Sequence, residues 1–546
     1  MSFTTPDPLP DRRRTDRAKQ AYLVGGGIAS LAAAAFLIRD GDLLARDITI
    51  YEGSDRIGGS LDGCGSPQTG YVLRGGRMIE RKYLCTYDLF SSIPTLDDSK
   101  TVTKEIFDWN ETMKTSSKAR LVRGGRRETA PKFGLSEKDI LTIERLAIEP
   151  EVLLGDTSIE VQFDPGFFET DFWFMWCTTF AFQPWHSAVE FKRYLLRFSH
   201  MVAGFDRLNG IMRTVYNQYD SMVLPLRKWL EERGVIFKFG ARVTDLDLKV
   251  RDGSTVVDRI LFAQPGTEAI TVGVDDLVLI TLGSMTDASS LGSMDDAPQL
   301  KGKSDGDAWT FWERIAKGRP EFGRPSAFPG HVGESKWMSF TTTLHDDGFL
   351  HVVRDLTGNV PGEGGLITFP DSNWLVSIVV PHQPHFIGQP DDVSVLWGYG
   401  LRVDEPGNFV KKAMSACSGR EIMTELLGHL HVEAEAASIL KSCICIPCMM
   451  PFITSQFLRR APGDRPLVIP TGTKNLAIIG QFCEMPKDVV FTVEYSVRSA
   501  QTAVYGLLKL NRKPPAIHQG KFDPRVLFRA FLALHDVGPI VVESAA

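Results

Sequence analysis

The chain has 546 residues, 43% of them hydrophobic, and a formal net charge of −6. That length buries a large core and divides into two or more domains. The mild acidity, with no basic stripe interleaved with aromatics, argues against a nucleic-acid partner. The eight cysteines are too sparse for a disulfide framework and point to a reducing cytoplasm.

Residues 1–19 are polar, charged and proline-bearing and read as a loose arm. The segment AYLVGGGIASLAAAAFLIRDGDLLARDITIYEGSDRIGG (21–59) is the most informative in the chain. Its apolar start predicts a strand, Gly25-Gly26-Gly27 a tight turn, and the alanine-rich stretch a helix. Ile48 to Tyr51 predicts a second strand, which ends on Glu52. These parts fit a dinucleotide site. Glycines let the backbone approach a pyrophosphate, the helix N-terminus offers free N–H groups, and an acid takes a ribose hydroxyl. Glu52 stands 22 positions after Ser30, near the roughly 20 such a site expects. Ala34, Leu37 and Gly41 fall at helix packing positions, and Gly58-Gly59 follow the acid. The longer pattern resembles the FAD-binding domain of two-dinucleotide-binding flavoproteins, implying Gly25, Gly27, Ala29 and Ser30 at the pyrophosphate and Glu52 at the ribose. The apolar run 21–38, behind Arg12, Arg13, Arg14 and Arg17, also has the outline of a signal peptide or membrane span. Clustered glycines and a strand ending on an acid fit neither.

Residues 20–95 are expected to form the first part of the FAD domain. From 100 to 135, Lys/Arg/Ser/Gly-rich text without periodicity reads as a surface loop or lid, followed by helices over 135–147 and 187–200. Between these, FDPGFFETDFWFMWCTTFAFQPWHSAVEFKRYLLRF (163–198) is dense in Phe and Trp, suited to a core or to an apolar ligand cavity. Residues 96–205 thus form a lid and aromatic-rich substrate region. A helix over 219–233, a hairpin over 235–248 and a strand over 276–281 return the chain to the FAD domain (206–295). Mixed strand and loop text makes 296–440 an inserted substrate domain. Cys443, Cys445 and Cys448 lack the second ligand pair of a zinc site and predict a buried strand, with no metal. A strand over 476–481 and a helix over 491–508 complete the FAD domain (441–515). In the last segment (516–546), KFDPRVLFRAFLALHD draws as a cationic amphipathic helix, resting on a membrane surface or docked on the protein. The expected class is α/β: a two-dinucleotide-binding, Rossmann-like flavoprotein with an inserted mixed α/β substrate domain and a helical C-terminal segment.

Five segments carry a closer resemblance: RGGRMIE (74–80), FAFQPWHSAVEFKRYLLRF (180–198), YNQYDSMVLPL (216–226), CMMPFITSQFLRR (448–460) and IIGQFCEMPKDVVFTVEYSVR (478–498). Together they resemble the oleate hydratases, fatty-acid double-bond hydratases also called myosin-cross-reactive antigens. The resemblance runs from about residue 20 to 515. It implies addition of water to the cis-9 double bond of oleic acid, giving 10-hydroxystearic acid, with FAD required although no net redox change occurs. Partners are then the unsaturated fatty acid and water, with the chain a monomer or homodimer in the cytoplasm, possible membrane contact being peripheral.

Hydrating an isolated alkene needs a proton donor at one carbon and a water-activating group at the other. The resemblance implies Tyr194 as donor, Gln218 lining the substrate cavity and His385 holding the carboxylate, as a cationic or neutral donor imidazole. Val379 and Pro381 stand where two further polar anchors are expected, and His382 is placed to compensate. Family members carry a glutamate as water activator where this chain has Met78, which accepts no proton. Glu80, two residues on and on the same face if the backbone is extended, is the substitute, the alternative being water oriented by backbone and flavin. For the cofactor the flavoprotein topology implies Arg56, Gly59, Arg74 and Gly75 around the phosphates and ring, Val243 at the adenine, and Ser284, Gln481, Phe482 and Thr492 near the flavin. The competing functions are a flavin oxidoreductase or isomerase on apolar substrates, and a non-catalytic fatty-acid-binding flavoprotein.

Overall fold

Five strands form a parallel sheet in the order Leu476–Ile479, Leu277–Thr281, Ala21–Val24, Ile48–Tyr51, Ile236–Lys238. The computed structural model to which they belong describes residues 19–129, 131–263 and 269–536, so the polar arm lies almost wholly outside the described residues. Val24 pairs with Ile280 on one side and Tyr51 on the other. The three inner strands and Leu476–Ile479 are almost continuously apolar and buried, as a parallel sheet covered on its faces requires. Helices Ile28–Arg39 and Val493–Leu507 pack against each other over this sheet. Ala32, Ala33 and Ala34 are fully buried there, and their small side chains allow the close approach. Because all five strands run the same way, the loops after Val24, Tyr51, Thr281 and Ile479 emerge at one edge, where open α/β sheets bind ligands.

The expected hairpin over 235–248 is not formed. Ile236–Lys238 joins the edge of the parallel sheet, and a turn held by Gly240 N–H to Ser54 O (3.0 Å) and Ala241 N–H to Glu52 O (2.9 Å) separates it from Val243. Val243–Arg251 pairs instead with Ser254–Phe262, and that strand with Ala269–Thr271, in a separate antiparallel sheet. The region expected to hold substrate is built on six antiparallel strands in the order Ser290–Leu291, Cys443–Met450, Trp337–Leu344, Ser394–Gly400, Val376–Val379, Ile367–Thr368, so that the first two, assigned from the sequence to the FAD domain, belong to this sheet instead. Cys443, Cys445 and Cys448 are buried free thiols in its second strand, where burial pushes the Cys448 thiol up to about 12.

One junction positions everything between the two sheets. The hairpin Gly63–Ser66/Gly70–Leu73 leans on the substrate sheet, Tyr71 N–H donating to Thr343 Oγ1 (2.8 Å) and Leu73 N–H to Thr341 Oγ1 (2.9 Å). The next residues, RGGR, are thereby held between the sheets.

The segment read as a surface loop or lid is so only in part: it carries a helix and a buried stretch, while Gly124, Arg126 and Arg127 are exposed. Val102–Thr112 is a helix capped by the Thr101 hydroxyl, which accepts from Lys104 N–H. Residues 119–122 are buried, and the Arg120 guanidinium donates to the carbonyls of Leu366 (2.9 Å) and Met175 (3.0 Å). The aromatic-rich stretch forms helices Asp171–Phe180 and Ala188–Phe198, whose Phe180 and Tyr194 pack with Phe182, Phe198 and Phe457. Beneath them the fully buried Glu190 accepts from Arg460 (2.8 Å) and Arg465 (2.9 Å). Burial raises its carboxyl, but those arginines and Arg193 outweigh it and hold it at about 2.

Candidate active site

The loops at the sheet edge enclose a cavity of about 770 Å³. Gly25 is left-handed (φ +95°), and a Cβ there meets Thr281 Oγ1 at 2.2 Å. The Thr281 hydroxyl is fixed by donating to Val24 O (2.9 Å), so it cannot move aside freely. Glu52 is held at the end of its strand, its carboxylate accepting from Gly26 N–H (2.7 Å) and Ser54 N–H (2.8 Å). Helix Ile28–Arg39 has neither a side-chain cap nor an acid in its first turn, which leaves its leading amides directed at the cavity for an anion. Arg56 and Arg74 line the same space. A cradle only glycine fits, an uncapped helix start and an acid on the neighbouring strand suit an adenine dinucleotide.

Gly25, Gly27, Ala29, Glu52, Arg56, Gly59, Arg74, Val243, Ser284, Gln481 and Phe482 line this cavity. Ser30 does not. It is fully buried on the protein side of the helix, its N–H bonded to Gly27 O at 3.0 Å.

Two narrower cavities, of about 100 and 40 Å³, share walls with the first and with each other. The nearer is lined by Arg74, Gly75, Gly76, Arg77, Met78, Trp337, Trp397, Phe491 and Thr492. Thr492 also caps the helix Val493–Leu507, its hydroxyl accepting from Tyr495 N–H. The farther is lined by Trp109, Met113, Arg213, Asn217, His382 and His385. Gln218 belongs to both, and its buried Oε1 has no protein partner. The local fold explains why these segments meet. Asn217 donates from N and Nδ2 to His385 O (2.9 and 3.0 Å), and Asp220 accepts from Asn217 Nδ2 (2.8 Å) and Ile387 N–H (2.9 Å). Gln218 sits at the start of a π turn, Tyr219–Val223, a geometry common at functional positions.

Electrostatics correct one expectation. Burial, with Arg213 and His382 nearby, pushes His385 down to about 3, so it is neutral at working pH. It offers a donor N–H, not a cation. The cations of these cavities are Arg74, which pairs with Asp62 (3.2 Å), and Arg77 and Arg213, which pair with no described acid. Arg77 donates to Ser60 O (2.7 Å) and Arg213 to Gly365 O (2.6 Å), while each Nε is buried without a partner. Neither was anticipated as a site residue, although Arg77 is the second arginine of RGGR and Arg213 stands three residues before YNQY.

Met78 is at the cavity wall, but Glu80 and Tyr194 line none of the three cavities. Glu80 pairs with Arg197 (2.8 Å) and His200 (3.4 Å) and accepts from Lys82 N–H (2.6 Å). Burial opposes its ionisation, but His200 and Arg197 prevail and keep it below the usual carboxylate range. The Tyr194 hydroxyl donates to Val490 O (2.5 Å) within the aromatic cluster. Phe457 packs against both Tyr194 and the cavity-lining Phe491. Burial raises the Tyr194 phenol well above its ordinary value.

The MCRA family pattern matches residues 18–505. The chain belongs to the MCRA family. It is 39% identical over 532 residues to an oleate hydratase of Streptococcus pyogenes serotype M49 (strain NZ131), covering 95% of this chain and 90% of that one. It is 35% identical over 565 residues to a linoleate hydratase of Lactiplantibacillus plantarum, covering 95% and 98%. Among solved structures, cyclohexylamine oxidase from Brevibacterium oxydans IH-35A superposes with a TM-score of 0.52 at 13% identity, over 91% of this chain and 100% of that one. That likeness is one of fold alone, and it places this MCRA chain in the Rossmann-type α/β class.

Gly25→Ala is expected to purify without flavin, because both the left-handed backbone and Thr281 oppose a Cβ. Ser30→Ala, outside the cavity, is expected to keep it. Flavin absorbance per chain, with circular dichroism to confirm folding, reads both; flavin retained at full occupancy by Gly25→Ala would contradict the cradle.

Proposed function

We propose that this chain is an FAD-dependent hydratase that adds water across the cis-9 double bond of oleic acid to give 10-hydroxystearic acid. The observation that carries the reading is the run of three cavities with shared walls, from a dinucleotide cradle through an aromatic chamber to a polar end bearing His385. Relatives named for oleate and linoleate hydration over almost the whole chain support it. FAD fits the cradle through Glu52, the Gly25–Gly27 turn, Arg56 and Arg74. Bound there, it would supply a polar, charged surface to the adjoining chamber without net electron transfer.

The double bond takes the phenolic proton of Tyr194 at one carbon while a water oxygen bonds to the other. Water's surplus proton then returns, through the water-activating group, to the phenolate. The raised phenol keeps its proton at neutral pH, as a donor must. To reach substrate it leaves the Val490 carbonyl, so the Val490–Phe491 turn yields when the chain enters. Aromatic walls (Trp337, Trp397, Phe491) hold few nucleophiles that would intercept a cationic intermediate. At the water side, Glu80 is ionised but committed to Arg197, and Gln218 with its free Oε1 stands nearer the chain's path. Glu80 acts there only if it exchanges Arg197 for water; otherwise Gln218, the backbone and the flavin orient the water.

A membrane role for the C-terminus belongs to the same reading. Helix Pro524–Leu534 exposes Leu527, Phe528 and Phe531, with Phe522 (77% exposed) just before it. Ala530, Ala533 and Leu534 face the protein. Among the described residues no helix is long and apolar enough to cross a membrane. We propose that this apolar face rests on the lipid surface where fatty acids partition.

Oleate incubated in isotopically labelled water should yield hydroxystearate carrying the label, with flavin absorbance unchanged. A bleached flavin would point to an oxidoreductase, and binding without product to a carrier. Tyr194→Phe should lose about a hundredfold or more in kcat, the typical contribution of a general acid; full activity would remove Tyr194 from the mechanism.

Met78→Glu places a carboxylate on the chamber wall beside Arg74 and Arg77, which would keep it ionised. Its kcat is expected to rise about tenfold or more. An unchanged or lowered kcat in a folded, flavin-loaded variant would count against water activation at that wall.

Removing residues 515–546 should abolish co-sedimentation with phosphatidylglycerol vesicles while leaving hydration of dispersed oleate intact. Equal sedimentation of both forms would dispose of the membrane contact.

A further inference from the structure

We propose that Arg213 is the counter-ion of the substrate carboxylate and sets this chain's preference for free acids over neutral lipids. The inference rests on the hydratase reading. Of the polar anchors expected by resemblance, Val379 and Pro381 offer no side-chain donor, and His385 is neutral. The polar end of the cavity nevertheless holds two guanidiniums, Arg77 where it adjoins the aromatic chamber and Arg213 close to His385. Arg213 follows the strand Ile211–Met212, and its backbone is clamped on both sides by Asn110, with Arg213 N–H to Asn110 Oδ1 at 3.0 Å and Asn110 Nδ2 to Arg213 O at 2.7 Å. One Nη donates to Gly365 O (2.6 Å), and Nε is closed off from solvent without a protein partner. The side chain lines the cavity beside His382 and His385.

Neither nearby acid is hydrogen-bonded to Arg213, although Asp62 Oδ1 is buried without a partner. Asp62, on the same cavity, pairs with Arg74 (3.2 Å), and Asp220 accepts from Asn217 and Ile387. No described acid pairs with Arg213, and a desolvated cation without a partner is costly. A planar guanidinium with donors to spare matches a carboxylate in fork geometry. A fatty acid whose carboxylate rests on Arg213 runs past Gln218 toward Met78 and Phe491, since Gln218 walls both cavities. The anchor thus also sets which carbons stand in the chamber.

The test uses flavin-loaded protein and two unreactive probes, stearic acid and methyl stearate, titrated by calorimetry. Wild type is expected to favour the acid. Arg213→Met should lose about ten- to hundred-fold in acid affinity with ester binding unchanged, and Arg213→Lys should restore part of the preference. For oleate hydration, Arg213→Met should raise KM more than it lowers kcat. An acid-over-ester preference retained by Arg213→Met overturns the proposal while leaving the hydratase reading intact. A wild type that binds neither probe overturns the hydratase reading and this proposal with it. If Arg213→Met does not fold, Arg213→Gln, which keeps a donor for Gly365, is read by the same criteria.

Discussion

The site depends on two loops touching backbone to backbone. Gly58 N–H donates to Gly26 O at 2.9 Å, and a Cβ on Gly59 would stand 3.2 Å from Gly27 Cα. The turn after the first strand and the turn after Glu52 are thereby locked together, with the helix start of Ile28 beside them. From that contact the chain has little freedom. It enters the hairpin Gly63–Ser66/Gly70–Leu73, which is fixed to Thr341 and Thr343 of the other sheet, and emerges as RGGR between the two domains. Side chains added at either glycine pair would displace the arginines as well as a pyrophosphate.

Apart from Arg120, which is satisfied by carbonyls, two settings of buried arginine matter to the site. Arg460 and Arg465 converge on Glu190, and Arg197 on Glu80. Breaking a buried pair of this kind costs about 3–5 kcal/mol because the remaining charge is stranded, so these pairs act as supports. Arg77 and Arg213 face cavities with no acid hydrogen-bonded to them. The same energetics read the other way: a buried cation left open toward a cavity is stabilised chiefly when an anion arrives. The location of compensation separates supports from binding groups among residues of one chemical type.

The cradle was legible in the sequence because each of its parts is local. Gly25, Glu52 and Gly59 lie within one βαβ unit, and their spacing follows from strand and helix lengths. Tyr194, Gln218 and His385 were reachable only through family resemblance, since nothing in their own segments distinguishes a ligand-facing residue from a buried one. Gln218 and His385 are brought together by Asn217 and Asp220 across more than a hundred and fifty residues, a contact no periodicity reports. The 100–135 segment misled because buried arginine reads as surface: Arg120 is satisfied by carbonyls distant in sequence. The 235–248 hairpin misled because a strand, a glycine turn and a strand also describe a chain passing from one sheet to another.

The geometry also bears on why hydration should need a flavin site. Ile28, Ser60, Arg74, Met285, Gln481 and Ser496 belong to both the dinucleotide cavity and the aromatic chamber. Gln481 is the most consequential. Its Oε1 accepts from Phe491 N–H (2.5 Å), and its Nε2 donates to Thr492 O (2.9 Å) and Ser496 Oγ (2.8 Å). Phe491, left-handed at φ +67°, walls the chamber, and the carbonyl of the preceding Val490 accepts the Tyr194 proton. A continuous series of hydrogen bonds and peptide units therefore joins the dinucleotide side of Gln481 to the phenol on the far side of the chamber. On the proposed mechanism, a group bound against Gln481 would set the position of that turn, and with it the exposure of the Tyr194 phenol. The glycine cradle would then serve the proposed hydration, a reaction without electron transfer, by holding the wall to which the Tyr194 phenol is bonded.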